Sequence, residues 1–192
     1  LKVDPRHVES NIFLAMVYRH QRQADKALEC YRRAAWLDPR EPRSFTGMAG
    51  VHEQRNELDL AREAVEKALA IGPDNPTALV LRARLHRRAG EHAEAAAILR
   101  PLLAQPINDE TRFRAGFELG RNLERLGEYD DAFEAIREAN AVHARTPSSR
   151  AVSTRAWMRL LGDAPAFTPE LLARWRTRAP ADDREAPAFL VG

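Results

Sequence analysis

With 192 residues, 44% of them apolar and 30% charged, the sequence has the composition of an ordinary soluble protein, long enough to bury a core of its own. No apolar run approaches the ~20 residues that a membrane helix needs, which excludes a spanning helix. A formal charge of +2 argues against the strongly basic face of a nucleic-acid binder, although the cations are almost all arginines: only Lys2, Lys26 and Lys67 are lysines. We read that bias as the codon usage of a GC-rich bacterial genome. Cys30, the single cysteine, has no partner for an internal disulfide and falls mid-helix, where a free thiol acts as a small buried hydrophobe. A reducing, cytoplasmic compartment fits; because Leu1 is not an initiator methionine, a targeting segment ahead of it is compatible with the sequence.

In chain order, Leu1 to Pro5 (Leu-Lys-Val-Asp-Pro) reads like Trp36-Leu-Asp-Pro39, so residues 1–7 are expected to be the tail of an earlier unit. Val8 to Pro39 holds an apolar-periodic helix, a polar break at Gln21 to Gln23, a second helix, and then Leu-Asp-Pro. Sliding the sequence by 34 residues lands Pro5 on Pro39, Pro39 on Pro73, Ala27 on Ala61 and Ala34 on Ala68. The first helix places Leu14, Ala15 and Tyr18 on one face, and the second answers with Ala27, Tyr31 and Ala34; small residues let the axes approach and large ones fill the gaps. The next unit repeats this with Phe45, Met48, Ala49, His52, Ala61, Val65 and Ala68. Pro42 and Pro76 suit first-turn positions, where a missing N–H costs little.

The third unit runs from Pro76 through Leu79, Ala83, His86, Ala95 and Leu99, and Gly90 is expected to cap its first helix. Arg82 stands where an apolar residue belongs, and Pro101 is expected to kink the second helix or end its bonding early. Gln105-Pro-Ile-Asn-Asp109 then inserts three residues. The fourth unit restores the pattern with Leu119-Gly120, Leu123, Gly127, Glu128-Tyr-Asp-Asp-Ala-Phe133 and Ala139. Its Gly-Glu-Tyr-Asp-Asp-Ala-Phe closely resembles the tetratricopeptide repeat (TPR), which has a ~34-residue period and two helices per unit, and in which no unit buries its apolar face without a neighbour.

The resemblance implies an all-α fold: a right-handed superhelical TPR solenoid of antiparallel helix pairs at 8–41, 42–75, 76–108 and 109–145, with a short non-repeat C-terminal segment. Residues 146–179 are expected to add capping helices. One is an amphipathic stretch with Trp157 and Leu160; another is Phe167-Thr-Pro-Glu-Leu-Leu-Ala-Arg-Trp175, with a threonine N-cap and Pro169 in its first turn. Residues 180–192 read as a polar linker followed by a strand, Ala186-Pro-Ala-Phe-Leu-Val-Gly192.

Little in the chain carries chemistry. The six histidines lack metal-ligand spacing, and packing is the expected role of His52 and His86, one period apart. Asp130-Asp131 reads as a helix start and Asp182-Asp183 as a solvated linker, with nothing to split their pKa values. Neither a phosphate loop nor a nucleophile elbow occurs, so catalytic and metal-binding residues are not expected.

A stacked array offers a concave surface lined by the first helix of each pair. The inward positions would include Arg19, Thr46, Gly50, Arg84, Arg88, Arg121 and Arg125. This arginine cluster is suited to carboxylate or sulfate-like groups, or else is solvated among Glu118 and Glu124. The partner is expected to be a protein or acidic peptide, engaged by the third and fourth repeats, and self-association through terminal repeats is a further possibility. Repeats that grip the C-terminal carboxylate of heat-shock chaperones use lysine and asparagine on these helices; Ile12 and Met16 stand at the leading places here, which disfavours that role.

The array, the Phe-Thr-Pro-Glu-Leu-Leu segment, the polar linker and Phe189-Leu-Val-Gly192 together resemble the junction between repeats and catalytic domain in bacterial TPR-containing sulfotransferases. The resemblance implies that a loop holding PAPS, the sulfate donor, would follow Gly192, with the repeats positioning an acceptor. A non-enzymatic scaffold that binds acidic segments is the alternative.

Overall fold

The computed structural model describes residues 6–145, which belong to the first of two units into which the chain divides, 1–146 and 147–192. The expected tail at 1–5, capping helices at 146–179 and terminal strand at 186–192 lie outside the described residues. Eight α-helices follow in sequence: α1 (Val8–His20), α2 (Ala24–Leu37), α3 (Pro42–Gln54), α4 (Leu58–Ile71), α5 (Pro76–Ala89), α6 (His92–Leu103), α7 (Asp109–Leu126) and α8 (Tyr129–His143). They pack as consecutive pairs, and the first helices also touch along the row α1, α3, α5, α7. The described residues contain no strand. The fold is the TPR solenoid of antiparallel helix pairs that the period predicts.

Local chemistry sets the helix ends. Pro42 and Pro76 occupy first-turn positions, behind Glu41 and Asn75, whose side chains accept hydrogen bonds from the Arg43 and Ala78 N–H groups at 2.9 and 3.0 Å. Asn108 does the same for Thr111 at the head of α7. Each first helix ends in one motif. The N–H groups of Gln23, Glu57, Glu91 and Glu128 reach back to the carbonyls of Tyr18, His52, His86 and Leu123. The residue just before each takes a positive φ: Arg22 (59°), Asn56 (62°), Gly90 (83°) and Gly127 (80°). This is the Schellman ending, and its left-handed residue favours glycine.

Two irregularities resolve physically. Pro101 sits inside α6, which ends two residues later at Leu103 and has 12 residues against 14 in α2 and α4. The three inserted residues lengthen the next helix rather than a loop. With Gly127 aligned on Gly90, α7 starts one turn earlier than α5, and it has 18 residues against 14. Arg112 secures that extra turn by donating to the Leu103 and Gln105 carbonyls, both at 2.8 Å.

The core is three clusters, each crossing a repeat boundary. Tyr31 and Ala27 pack with Ile12 and with Val51 of the next pair; Ala61 and Val65 pack with Leu81 and Leu85; Ala95 and Leu99 pack with Ala115 and Leu119. No pair completes its own core, which is the physical content of the repeat. Cys30 is buried beside Tyr31, as the sequence predicts, and burial pushes its thiol pKa up.

Candidate functional site

The first helices line an open groove of about 570 Å3. Helix α1 supplies Ile12, Phe13, Met16 and Arg19; α3 supplies Arg43, Thr46, Gly47 and Gly50; α5 supplies Val80, Leu81 and Arg84; α7 supplies Thr111 and Arg114. Its floor at the α1–α3 end, where Ile12, Phe13 and Met16 stand among Arg19, Arg43 and Thr46, is shaped by glycine. A Cβ on Gly47 would overlap the Tyr31 ring, so only glycine lets that buried ring reach the groove wall. A Cβ on Gly50 would lie 3.0 Å from the Arg19 guanidinium. Phe13 and Met16 remain 61% and 46% exposed over this floor, although such side chains gain by leaving water.

The five arginines singled out from the sequence do not all line this groove. Arg19 and Arg84 border the groove; Arg88, Arg121 and Arg125 do not line it. Arg84 pairs with Glu53 of the preceding repeat, and Arg88 reaches the same carboxylate at 3.3 Å and Asn56 Oδ1 at 2.6 Å. Arg87, beside them, pairs with the buried Glu118, and Arg114 with Glu110 at 2.7 Å. Arg43 is held by Glu41 and Glu9, which raises its pKa and lowers that of Glu41 through the hydrogen bond between them. Arg19, Arg121 and Arg125 make no ion pair among the described residues, and of these three only Arg19 faces the groove. The sequence pattern lacked the pairing acids, because Glu53 sits one repeat away from Arg84 and Arg88. A period-aware reading, comparing positions about 31 and 35 apart, would have found Glu53.

The histidines do more than pack. His52 is buried, and its Nδ1 lies 2.6 Å from Glu57, lowering that carboxyl's pKa; His86 and Glu91 repeat the contact at 2.6 Å. Each pair clasps the Schellman turn to the helix that follows. His92 meets the fully buried Asn122 at 3.0 Å, and His143 stacks on Phe113 with ring centroids 4.3 Å apart. Asp130 and Asp131 lie in the first turn of α8, where Arg100 contacts Asp131 at 3.3 Å; Asp182 and Asp183 lie outside the described residues. Arg82 is half-buried, and its Nε is enclosed without a hydrogen-bond partner.

Two tetratricopeptide-repeat family profiles match the chain, one over residues 12–43 and one over 52–116. These helix pairs are tetratricopeptide repeats. No curated protein sequence matches the chain. Among solved structures, the TPR array is similar to MamA, at 21% identity over 76% of this chain and 83% of that one, with a TM-score of 0.58. It is similar to a TPR protein of Thermus thermophilus, at 19% identity over 82% and 85% of the two chains, with a TM-score of 0.65. The first TPR domain of Spaghetti (RPAP3), solved with the HSP90 peptide SRMEEVD, aligns at 22% identity over 65% of this chain and 99% of that one, with a TM-score of 0.57. At these identities the likeness concerns the fold. Among the described residues no helix is long and apolar enough to cross a membrane, and no group of three potential ligands could hold a metal ion.

Proposed function

We propose that this TPR array is a protein-interaction module whose groove holds a peptide segment bearing large apolar side chains. The observation that carries the reading is the exposure of Phe13 and Met16 above a glycine-opened floor. Such side chains anchor a partner by desolvation, while the paired charges of Arg84 and Arg114 form a polar rim. The first TPR domain of RPAP3, which shares this fold, is likewise a peptide binder, with the HSP90 peptide SRMEEVD.

The test is fluorescence anisotropy with labelled amphipathic peptides carrying Phe, Leu or Met, alongside versions in which those residues are serine. Phe13→Ser with Met16→Ser should weaken binding about tenfold or more, the equivalent of ~1.4 kcal/mol, at an unchanged melting temperature. Equal binding by parent and double variant overturns the reading. Acidic residues in the partner follow from Arg19, and the expected consequence is affinity that falls with salt.

The sulfotransferase reading rests on the sequence of residues 167–192 alone. In it the array positions an acceptor, and a PAPS-binding domain follows Gly192. Sequencing the coding region beyond Gly192 tests it: an Arg-Ser-Gly-Thr type of loop supports it, and a stop codon or further repeats removes it. Self-association, through exposed residues such as Trp36 and Phe133, is tested by particle size across a concentration series.

A further inference from the structure

A second opening lies at the turn edge of the first two repeats, where α1 meets the head of α2 and the end of α3. It is a cleft of about 530 Å3 lined by Arg19, His20, Arg22, Ala24, Gln54 and Arg55. Four of these six residues are basic. Arg55 is already engaged, by Asp25 at 2.5 Å and by Glu57 at 2.8 Å, and those two are the carboxylates paired with it. Arg19 and Arg22 have no ion pair with any described residue. The cleft therefore concentrates cationic donors beyond what its own acids neutralise, in the fork geometry that suits an oxyanion.

The backbone supplies an independent observation. Arg22 takes φ 59°, the left-handed conformation, at the position where the following repeats place Asn56, Gly90 and Gly127. Asparagine and glycine adopt that conformation easily, and arginine does not. A bulky cation kept in a strained position on the wall of a cleft is the pattern of a functional site, in which strain is accepted to aim a side chain. Arg19 joins this cleft to the groove, since it lines both.

We propose that the cleft of Arg19, His20 and Arg22 is an oxyanion-binding site, which receives a carboxylate or phosphoryl group carried by the segment that fills the groove. Arg19 and Arg22 supply guanidinium donors, the His20 ring supplies a further one, and Arg55 is fixed at the back by Asp25 and Glu57. That the oxyanion belongs to the occupant of the groove rests on the groove reading; the site itself does not. The preferred ligand is a peptide with an apolar anchor over Phe13 and Met16 and an acidic or phosphorylated residue beside it.

The experiment has two arms. In the first, the arginine Nε–Hε resonances of the full chain are followed by NMR during titration with inorganic phosphate and, separately, with acetate, at constant ionic strength. Arg19 and Arg22 should shift and saturate. Arg121 and Arg125, exposed and without ion pairs among the described residues, should follow only the bulk salt. Saturation with both anions supports a general oxyanion site, and saturation with phosphate alone supports a phosphoryl site. Shifts at Arg19 and Arg22 no larger than those at Arg121 and Arg125 overturn the proposal.

The second arm compares an amphipathic peptide ending in two glutamates with its diglutamine counterpart. The acidic peptide should bind about tenfold more tightly to the parent, and Arg22→Asn should remove that preference, as expected for loss of one charge-assisted pair. Asparagine is at home in the left-handed turn, so the variant keeps the fold; a lowered melting temperature would instead mean that Arg22 supports the turn, and would overturn the strain argument. Saturable phosphate binding without any peptide binding sinks the groove reading and leaves the oxyanion site standing. Peptide binding that ignores the glutamates sinks the site and leaves the groove.

Discussion

Along the groove and its edge, the first repeat and the third use arginine in opposite ways. In α5 and α7, Arg84, Arg87, Arg88 and Arg114 are each tied to a carboxylate, and three of these ties cross between neighbouring repeats to Glu53 or Glu118. In α1 and the turn after it, Arg19 and Arg22 have no such acid, and they face open clefts. The count of basic residues favours the third and fourth repeats as an anion surface, while among the arginines that line the groove or the cleft the unpaired ones lie with the first. An arginine inside a neutralised pair is chiefly mortar between repeats, because the pair's field largely cancels at a distance.

Packing should not share this asymmetry, and the largest effect tests that. Ala27, Ala61 and Ala95 hold one repeat position and are all fully buried. Leucine at any of them forces an extra isopropyl group into a helix crossing and should cost about 1–3 kcal/mol, similar in all three repeats. Chemical denaturation of the three variants measures it. A cost confined to one half would mean that the repeats differ in their cores as well as their charges.

Next in size is Glu53→Gln. Its carboxylate is only 12% exposed and holds both Arg84 and Arg88, so the neutral amide should cost about 1–2 kcal/mol, above the ordinary surface pair. It should also turn the third repeat into something like the first. Arg84 would become available in the groove, and the glutamate-bearing peptide should bind more tightly despite the lower stability. A stability loss with no gain in acidic-peptide binding would show that the pair was not what separates the two halves.

Most of the fold was legible because two signals agreed: the alanines spaced 34 apart and the punctuation by proline and glycine between helices. Pro42 and Pro76 begin helices and Gly90 ends one, as their backbone chemistry requires. The site was less legible. Helical spacing puts Arg19, Arg84, Thr46 and Gly50 on the inner face, and there they are. It does not say which arginine meets an acid, because Glu53 reaches Arg84 from the preceding repeat. Nor does it say that Arg22 is held at positive φ, since a Gln-Arg-Gln turn carries no glycine to announce it. Tyr31 reads as a core aromatic, but its access to the groove wall depends on Gly47 in the next repeat.

Acid should distinguish the halves more gently. The carboxyls with clearly lowered pKa values are Glu41, through its hydrogen bond with Arg43, Glu57, through His52, and Glu63, through Lys67. All three precede α5. A carboxyl depressed by folding contributes stability that is present above its unfolded value of 4.5 and lost as the pH falls through its folded value. Below about pH 4.5 the first two repeats should therefore loosen first. Hydrogen exchange at pH 4 and pH 7 would show protection falling in α3 and α4 ahead of α7. Uniform loss along the array would place the acid-sensitive contacts elsewhere.

The smallest effect, Arg22→Gly, is the most pointed. A left-handed arginine costs about 1–2 kcal/mol relative to a relaxed conformation, and glycine escapes that cost while adding about 0.5–1 kcal/mol of unfolded-state freedom. The net should be a gain of about 0.5 kcal/mol, or 1–2 °C in melting temperature for a chain of this size. Asn56→Gly, at the same place in the next repeat, should gain less, because asparagine already tolerates the turn. The two variants therefore separate backbone strain from side-chain loss. If Arg22→Gly gains stability while losing its phosphate response at Arg19, the first repeat holds a strained cation that the fold would be better without, which is what a binding residue at that turn demands. If it loses stability, Arg22 is held by contacts within the array, and the contrast between the two halves reduces to where their acids happen to stand.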